Sequence, residues 1–384
     1  MIDTLITLED SLKLIKETLE NMKFDKNYST CKLDEAAGYF LGERIYAPFD
    51  LPEYNNSAMD GIAVSSINQE YKIIPYTNEI PTNCAVEVST GQKIPLNTLT
   101  IIEKENYIKN LEKVSIKEPE KVKPQKHIRL KGEEIKKGDL IFDKYTQILP
   151  STIGVLAKIG KSKVKVIKMP KVAIIITGNE LVEPGDNKND DKIFNSNGPL
   201  LKSLFKEIKI KVNKYALVKD DPDILKSHIN DFLNHSDILV ITGGASVGKF
   251  DLSRKILEDL KFKKVFYKVA IKPGKPTYFY AYENKLIFGL PGNPLAVFTG
   301  FFLFIKPTLK YLLTNNFSLD TIKLKNYEIE VEGKVDPHRT NIIPAYIDFS
   351  QNKVKAKVIG SNQLLALTHS NCLLILEKQE AIMI

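Results

Sequence analysis

The sequence predicts an α/β fold, with a doubly wound, mainly parallel sheet domain, an elongated N-terminal part of helical and linker character, and two smaller β-rich domains. Between about residues 150 and 312, short apolar runs alternate with helical patterns, which is typical of helices packed on both faces of a parallel sheet. From about 45 to 140, and again from about 320 to 384, the runs are short, β-like and broken by Pro, Gly and Asn. These changes along the chain indicate several domains.

Individual elements follow from periodicity. Thr7 and Asp10 have the spacing of a capping box, and Leu8, Leu12 and Ile15 then share one face, so a helix is expected at residues 7–22. The predicted strands of the α/β domain are 172–176, 215–218, 238–241, 265–269 and 286–290. Strands of the smaller domains are expected at 85–88, 99–103, 113–116, 140–142, 327–331, 353–358 and 372–377.

Composition limits the class of ligand. The 384 residues suffice for two to four domains, and 43% hydrophobic with 27% charged residues is ordinary for a folded globular protein. A formal charge of +8 favours anions such as phosphates, nucleotides or oxyanions, although an AT-rich genome that uses lysine freely would give the same excess. No arginine-rich stripe with interleaved aromatic residues marks a nucleic-acid face, so no nucleic-acid partner is expected.

Cysteine usage and apolar runs indicate a cytoplasmic location. The three cysteines are far apart and odd in number, which supports neither a disulfide framework nor a cysteine zinc site. The most apolar run, 295–305, has only 11 residues, whereas a membrane-spanning helix needs about 20. We therefore expect a buried helix, no membrane partner and, with no basic n-region at the N-terminus, no signal peptide.

Five polar, glycine-rich segments follow the five predicted strands of the α/β domain. They are residues 177–180, 219–222, 242–251, 272–276 and 291–294. In an open parallel sheet, the loops at the carboxyl ends of the strands share one edge, where ligands bind. The five segments are therefore expected to converge on one site.

The residue types in these segments favour a Mg²⁺-dependent reaction of an oxyanion or nucleotide. Backbone N–H groups around Gly243 and Gly244 can close around a phosphate, and the ammonium groups of Lys272 and Lys275 can neutralise its charge. Carboxylate oxygens hold Mg²⁺. The candidate carboxylates are Glu180, Asp220, Asp221 and Asp251.

Two simpler interpretations stay open. A glycine loop also forms tight turns that bind nothing, and either aspartate before Pro222 is equally suited to cap a helix. An ordinary P-loop ATPase is not expected, because Phe250 stands where a P-loop needs Ser or Thr to hold Mg²⁺.

Several motifs together resemble a known family. They are Thr242 to Asp251 (TGGASVGKFD), Lys272 to Pro276 (KPGKP), Gly289 to Pro294 (GLPGNP), Asn56 to Ala63 (NSAMDGIA), His127 to Glu134 (HIRLKGEE), Thr177 to Leu181 (TGNEL) and Asn195 to Asn197 (NSN). In this combination and order, covering nearly the whole chain, they resemble the molybdopterin molybdotransferase family, which includes the E domain of gephyrin.

The resemblance implies four subdomains and a homodimer. The corresponding domains are an N-terminal linker and dimerisation domain at 1–52 and 138–168, a small β-rich domain at 53–137, the α/β molybdopterin-binding domain at 169–315, and a C-terminal β-barrel-like domain at 316–384. The family's active site lies between the α/β domain of one subunit and the N-terminal part of the other, so Asp60 would act in trans. A turn aspartate before Gly61 is the structural alternative.

The resemblance also implies a reaction and its residues. Adenylylated molybdopterin and molybdate would react with Mg²⁺ as the cofactor, releasing AMP and leaving molybdenum on the dithiolene. Residues expected in catalysis are Asp60, Glu134, Glu180, Asp220, Asp221, Asp251, Lys272 and Lys275, of which Glu180, Asp220 and Asp251 would hold the metal. Residues expected to bind the substrate are Thr177, Gly178, Asn195, Ser196, Gly243, Gly244, Ser246, Gly248, Pro291, Gly292, Asn293 and Pro294.

Some positions depart from the family pattern. Glu134 stands where the family usually has Asp, and Ala296 where a Ser commonly follows the Pro-Gly-Asn-Pro turn, so no hydroxyl role carries over there. Two other functions stay open. One is a molybdopterin adenylyltransferase or related nucleotide-processing enzyme, and the other is a non-catalytic scaffold. The sequence does not distinguish molybdate from tungstate.

Overall fold

The computed structural model describes residues 5–22, 24, 26–243 and 250–384, with the side chains of residues 250 and 251 left out. The chain forms two compact units. Unit 1 comprises Met1–Cys31, Ala36–Phe40 and Lys165–Ile384, and unit 2 comprises Lys32–Glu35 and Leu41–Val164. Each unit is treated below by itself.

The N-terminal helix is confirmed. Helix α1 (Leu8–Asn21) begins after Thr7, whose hydroxyl oxygen accepts the Asp10 N–H over 3.0 Å. This N-cap satisfies one of the backbone N–H groups that a helix start leaves unpaired. Ile15 is fully buried and joins the core of unit 1. Strand β1 (Tyr28–Lys32) follows.

Unit 2 is β-rich, as predicted. Its elements are β2 (Ile45–Tyr46), β3 (Asn56–Ser57), β4 (Gly61–Val64), β5 (Glu70–Ile74), β6 (Cys84–Val88), β7 (Thr100–Glu103), β8 (Tyr107–Asn110), β9 (Lys113–Ile116), β10 (Ile128–Arg129), β11 (Leu140–Phe142) and α2 (Pro150–Lys158). Six strands form one sheet in the order β7-β4-β6-β5-β9-β8, and β3 pairs with β10. Ile62 and Ala63 belong to different core clusters, so β4, which lies between β7 and β6, is buried on both faces.

The α/β domain in unit 1 carries helices on both faces of its sheet. Strand β12 (Lys163–Ile167) precedes it. Its elements are β13 (Val172–Thr177), β14 (Leu181–Val182), β15 (Ile193–Phe194), α3 (Asn197–Glu207), β16 (Val212–Val218), α4 (Pro222–His235), β17 (Ile238–Gly243), α5 (Phe250–Asp259), β18 (Lys263–Tyr267), β19 (Ile271–Lys272), β20 (Tyr278–Tyr282), β21 (Lys285–Pro291), α6 (Pro294–Gly300) and α7 (Lys306–Thr314). The sheet order is β16-β13-β17-β21-β20-β18. Alternate residues such as Ile174 and Ile175 face two separate cores, which confirms the doubly wound arrangement.

One strand of this sheet was not predicted. Strands β16, β13, β17 and β21 run parallel, but β20 is antiparallel to both β21 and β18. The apolar run at 265–269 therefore lies at the sheet edge and is separated from β21 by a further buried strand. The prediction missed β20 because it follows a turn rich in Pro and Gly and is joined to β21 by a tight hairpin.

The helix after β21 corrects one expectation. Helices α6 and α7 are joined by a π-helical turn (Phe301–Ile305) into a helix of 21 residues, Pro294–Thr314. By length and composition this helix could cross a membrane, so the expectation that it is too short was wrong. However, 83% of its apolar window is buried inside the protein, which confirms the predicted buried helix and is typical of a core helix.

The C-terminal part of unit 1 is a second β structure. Its strands are β22 (Thr321–Lys323), β23 (Glu328–Glu332), β24 (Thr340–Asp348), β25 (Lys353–Lys357), β26 (Cys372–Ile375) and β27 (Glu380–Met383). Their order is β22-β27-β26-β24-β25-β23, and β19 of the α/β domain pairs with β24. The prediction missed β24, the longest strand, because Pro344 interrupts its apolar run.

Candidate functional site

The carboxyl ends of the parallel strands form one side of a cavity of about 290 Å³, which we call the asparagine cavity. It is lined by Thr177, Glu180, Leu181, Ile193, Phe194, Asn195, Ser196, Asn197, Thr242, Gly243, Gly292, Asn293, Pro294 and Asn362. Three of the five predicted segments, those after β13, β17 and β21, therefore meet here. The structure brings the predicted residues Thr177, Asn195, Ser196 and Gly243 together, and the Gly292-Asn293-Pro294 turn joins them.

Asn195 is held by a partly buried network. Its amide nitrogen donates to the hydroxyl of Tyr215 over 2.6 Å, and that hydroxyl donates to a carboxylate oxygen of Glu183 over 2.5 Å. Burial raises the pKa of Tyr215 well above its usual range, and the Glu183 carboxylate adds to this effect. The amide oxygen of Asn195 accepts the Gly198 N–H over 3.0 Å. Gly198 has no room for a side chain, because an added Cβ would lie 2.4 Å from the Tyr215 hydroxyl oxygen.

Asn197, at the start of α3, was quoted in the family motif but not predicted as a site residue. It is 6% exposed, and its amide nitrogen donates to the Gly292 carbonyl oxygen over 2.7 Å. This bond ties the start of α3 to the turn after β21. Asn362, from the C-terminal part, also lines the cavity and was not predicted as a site residue.

The three described candidate carboxylates have different environments. Asp221 caps α4, since its carboxylate accepts the N–H groups of Asp223 and Ile224 over 3.0 and 2.9 Å. Asp221 therefore makes the contacts of a helix cap, which is the simpler interpretation that the sequence left open. Asp220 instead exchanges hydrogen bonds with Asn179, which ties the loops after β16 and β13 together.

Among the described residues, no group of three or more His, Cys, Asp or Glu side chains is arranged to hold a metal ion. Asp220, Thr177 and Gly243 line one small pocket, and Glu180 lines the asparagine cavity beside the same two residues. Proteins commonly hold Mg²⁺ by one or two carboxylates plus water and phosphate oxygens, so Glu180 and Asp220 have the functional group of Mg²⁺ ligands. Gly244, Ser246, Gly248 and the side chain of Asp251 lie outside the described residues.

A second, larger cavity of about 700 Å³ lies beside the first, and we call it the lysine cavity. It is lined by Tyr267, Lys268, Lys272, Pro273, Gly274, Lys275, Pro276, Pro291, Asn293, Leu295, Ala296, Arg339, Asn341, Ile342, Ile343, Pro344, Val358, Ile359, Gly360 and Ser361. Four of these described residues are cationic and none carries a carboxylate, so the cavity favours anions. The two predicted lysines therefore lie in a cavity separate from most of the other predicted residues.

The pairing of β19 with β24 builds this cationic wall. Lys272 is opposite Asn341 in the parallel register, which brings the Lys-Pro-Gly-Lys-Pro segment beside the turn that carries Arg339. Asn341 is buried, and its amide nitrogen donates to backbone carbonyls of that turn. Neither Lys268 nor Arg339 was predicted as a site residue.

Arg339 is held by one carboxylate. Its Nε donates to Oδ2 of Asp336 over 2.8 Å, and its Nη2 donates to the same oxygen. The Arg339 guanidinium lowers the pKa of Asp336. The His338 N–H donates to the other carboxylate oxygen and lowers this pKa further, as does the charge of Lys272. The guanidinium is therefore fixed at the cavity wall while keeping further N–H groups for a ligand.

Asn293 lines both cavities, so they adjoin at the turn after β21. Gly289, before this turn, has no room for a side chain, because an added Cβ would lie 1.9 Å from the Tyr278 ring. Ala296 lines the lysine cavity and supplies no hydroxyl there.

Unit 2 carries the remaining two predicted residues. The carboxylate of Asp60 accepts the N–H of Thr90 over 2.7 Å and its hydroxyl over 3.0 Å. The Thr90 N–H lowers the pKa of Asp60, and the charge of Lys104 adds to this. Glu134 forms an ion pair of 2.5 Å with Lys158. Both carboxylates are exposed, so the turn role and a role in catalysis are each compatible with these contacts.

Fold and site together define a class: an α/β protein with two adjoining cavities at the carboxyl edge of its sheet, one of them cationic and suited to anions. The family described as "MoeA N-terminal region (domain I and II)" matches residues 6–160, and the "Probable molybdopterin binding domain" family matches residues 173–311. The chain belongs to the molybdopterin molybdenumtransferase family.

Individual relatives support this membership. A molybdopterin molybdenumtransferase of Staphylococcus aureus is 33% identical, over 94% of this chain and 91% of the relative. One of Staphylococcus epidermidis is 32% identical, over 97% and 92%. The crystal structure of a molybdopterin biosynthesis MoeA protein from Pyrococcus horikoshii superimposes with a TM-score of 0.75 at 26% identity, covering 99% of this chain and 97% of that one.

Proposed function

We propose that this chain is a molybdopterin molybdenumtransferase, which inserts molybdenum from molybdate into adenylylated molybdopterin and releases AMP during molybdenum cofactor biosynthesis. The observation that carries the proposal is the pair of adjoining cavities at the carboxyl edge of the sheet, one cationic and one lined by amides. The family membership and the names of the relatives support the same activity.

The residues of the lysine cavity would bind the oxyanion. Lys272, Lys275 and Arg339 supply the positive charge that would hold a dianion. Molybdate would be held by ammonium and guanidinium N–H groups before transfer.

The residues at the strand ends would hold the adenylylated substrate. Backbone N–H groups from Gly243 onwards would meet its phosphates, and Mg²⁺, when bound by Glu180, Asp220 and Asp251, would supply charge neutralisation for the departing AMP. The remaining contacts with the substrate would come from Thr177, Gly178, Gly244, Ser246, Gly248 and the 291–294 turn.

A homodimer and a cytoplasmic location belong to the same proposal. In it, Asp60 and Glu134 of one subunit would complete the site of the other, with Asp60 acting on the reacting groups. The four-domain arrangement, with boundaries as given above, also belongs here. The widely separated cysteines suit a reducing compartment.

The test is a reconstituted reaction. The purified chain would be incubated with adenylylated molybdopterin, molybdate and Mg²⁺, and we expect AMP to appear together with active cofactor. Omitting molybdate or Mg²⁺ should suppress the active cofactor. A chain that instead adenylylates molybdopterin from ATP, or one that supports neither reaction, would show that the assignment is wrong.

A further inference from the structure

The turn that carries Asp60 is held by contacts from three other segments of unit 2. The Asp60 carbonyl oxygen accepts the Lys104 N–H over 3.2 Å, and its carboxylate accepts the Thr90 N–H over 2.7 Å. On the third side, the Ala58 N–H donates to the His127 carbonyl oxygen over 2.8 Å. Asp60 itself is exposed, so these neighbours, and not burial in a core, fix where its carboxylate lies.

His127 has a left-handed backbone conformation, with a φ of 60°. Among residues other than glycine, Asn, Asp and His adopt this region most readily. A residue at position 127 must accept this conformation if its carbonyl oxygen is to receive the Ala58 N–H. Asparagine would meet that requirement as well as histidine does, so the backbone alone does not account for the imidazole.

The imidazole of His127 makes a contact of its own. Its Nε2 is buried and lies in ion-pair contact with Oε1 of Glu103, and it has no other partner among the described residues. Glu103 ends β7 and is opposite Gly61, the residue after Asp60, in the antiparallel register. Gly61 approaches β7 so closely that an added Cβ would lie 2.1 Å from the Ile102 carbonyl oxygen. The contact therefore joins His127 to the strand that lies against the Asp60 turn.

We infer that His127 is a positioning residue, whose contact with Glu103 fixes the turn that presents the Asp60 carboxylate. The imidazole ties together two segments that hold this turn. One segment accepts the Ala58 N–H, and the other contacts the backbone of Asp60 and Gly61. The effect on catalysis rests on the proposed function, because only there does Asp60 act on the reacting groups. The effect on the turn does not depend on that assignment.

Two variants remove the contact from opposite ends. His127→Asn keeps a residue suited to the left-handed backbone, but its amide is shorter than the imidazole and does not extend as far as Nε2. Glu103→Ala removes the carboxylate. In hydrogen–deuterium exchange of the full chain, the peptide covering residues 56–61 should exchange about tenfold faster or more in both variants, since each loses a contact to a charged group. The double variant should exchange no faster than either single one, because the two side chains act through one contact.

The kinetics of molybdenum insertion separate positioning from general damage. Both variants should lower kcat by about tenfold while KM for adenylylated molybdopterin stays within about twofold of wild type. A small displacement of a group that acts in the transition state reduces the rate more than it reduces substrate binding. Thermal midpoints check that each variant is folded, and His127→Asn alone carries the test if Glu103→Ala does not fold.

Matched controls remove the same kinds of side chain elsewhere. Glu70→Ala removes an exposed carboxylate from β5 of the same sheet, where it accepts the Ser115 hydroxyl over 3.2 Å. His369→Asn removes an exposed histidine from the C-terminal part of unit 1. Neither control should change kcat or the exchange of residues 56–61.

Each outcome bears on a separate claim. The inference is overturned if His127→Asn leaves the exchange of residues 56–61 unchanged, or if the effects of the two single variants simply add in the double variant. Faster exchange with an unchanged kcat shows that the turn is held as described and refutes its effect on catalysis. A wild-type chain that inserts no molybdenum, while the variants still lose protection of the turn, refutes the proposed function alone.

Discussion

Replacing Arg339 by alanine should weaken molybdate binding in the lysine cavity by about tenfold to a hundredfold. Arg339 is one of four cationic residues in the cavity, and only its Nε and Nη2 are engaged by Asp336. A hydrogen bond to a charged group contributes about 1.5–3 kcal/mol, and each 1.4 kcal/mol is about tenfold in affinity. Loss of the guanidinium also leaves Asp336 without its counter-charge beside the cavity, which acts in the same direction.

Titration calorimetry with molybdate measures this effect directly. Arg339→Lys keeps the charge but loses the two-point contact with Asp336, so it should give an intermediate affinity. Lys334→Ala, an exposed lysine outside the cavity, should have no effect. The reasoning is refuted if Arg339→Ala binds molybdate within about twofold of wild type while its thermal unfolding is unchanged.

Three other predictions concern stability and the candidate carboxylates. Gly289→Ala forces a Cβ to within 1.9 Å of the buried Tyr278 ring. It should therefore lower the free energy of unfolding, measured by chemical denaturation, by about 1–3 kcal/mol or more. An unchanged denaturation midpoint would contradict this close packing. Asp221→Ala removes the cap of α4 and should lower the free energy of unfolding by about 1 kcal/mol. Molybdenum insertion by the folded variant should persist. A variant of unchanged stability that no longer inserts molybdenum would instead favour a catalytic role for Asp221. The Thr90 N–H lowers the pKa of Asp60 below its ordinary 3.8, so the stabilisation from this contact is present above about pH 3.8 and is lost as the pH falls through the lower folded value. Thr90→Pro, which removes that N–H, should flatten the acid-induced fall in the thermal midpoint over this range, and an identical pH profile would show that the contact is not formed.

The periodic parts of the fold were predictable from sequence. Five of the six strands of the α/β sheet and the N-terminal helix are identifiable because each is a local pattern of apolar residues bounded by turn residues. Strand β20 was missed because it follows a turn with two prolines and is joined to β21 by a tight hairpin. Strand β24 escaped because a single proline in an apolar run normally argues against a strand.

The candidate site was only partly predictable. The rule that loops at the carboxyl ends of parallel strands converge brought Thr177, Gly243 and Asn293 together. The separation into two cavities was not foreseen, because it depends on β19 pairing with β24, a contact between segments far apart in sequence. Arg339 reaches the lysine cavity through that pairing, and no local pattern around it indicates the contact.

The helix-cap role of Asp221 illustrates a different limit. Asp220 and Asp221 are neighbours with the same functional group, and sequence alone left their roles open. The backbone separates them, since Asp221 accepts N–H groups of α4 whereas Asp220 is tied to Asn179 of another loop. The roles of two neighbouring residues of the same type can therefore be assigned only when the structure shows which backbone groups each side chain contacts.

The central claim is that molybdate and the adenylylated substrate meet where the two cavities adjoin. A crystal structure of the enzyme with molybdate and AMP tests it most directly. We predict an oxyanion within hydrogen-bond distance of Lys272 and Arg339, with AMP extending from Asn293 along the strand ends. Both ligands bound at surfaces away from these cavities, in a crystal of active enzyme, would contradict the account.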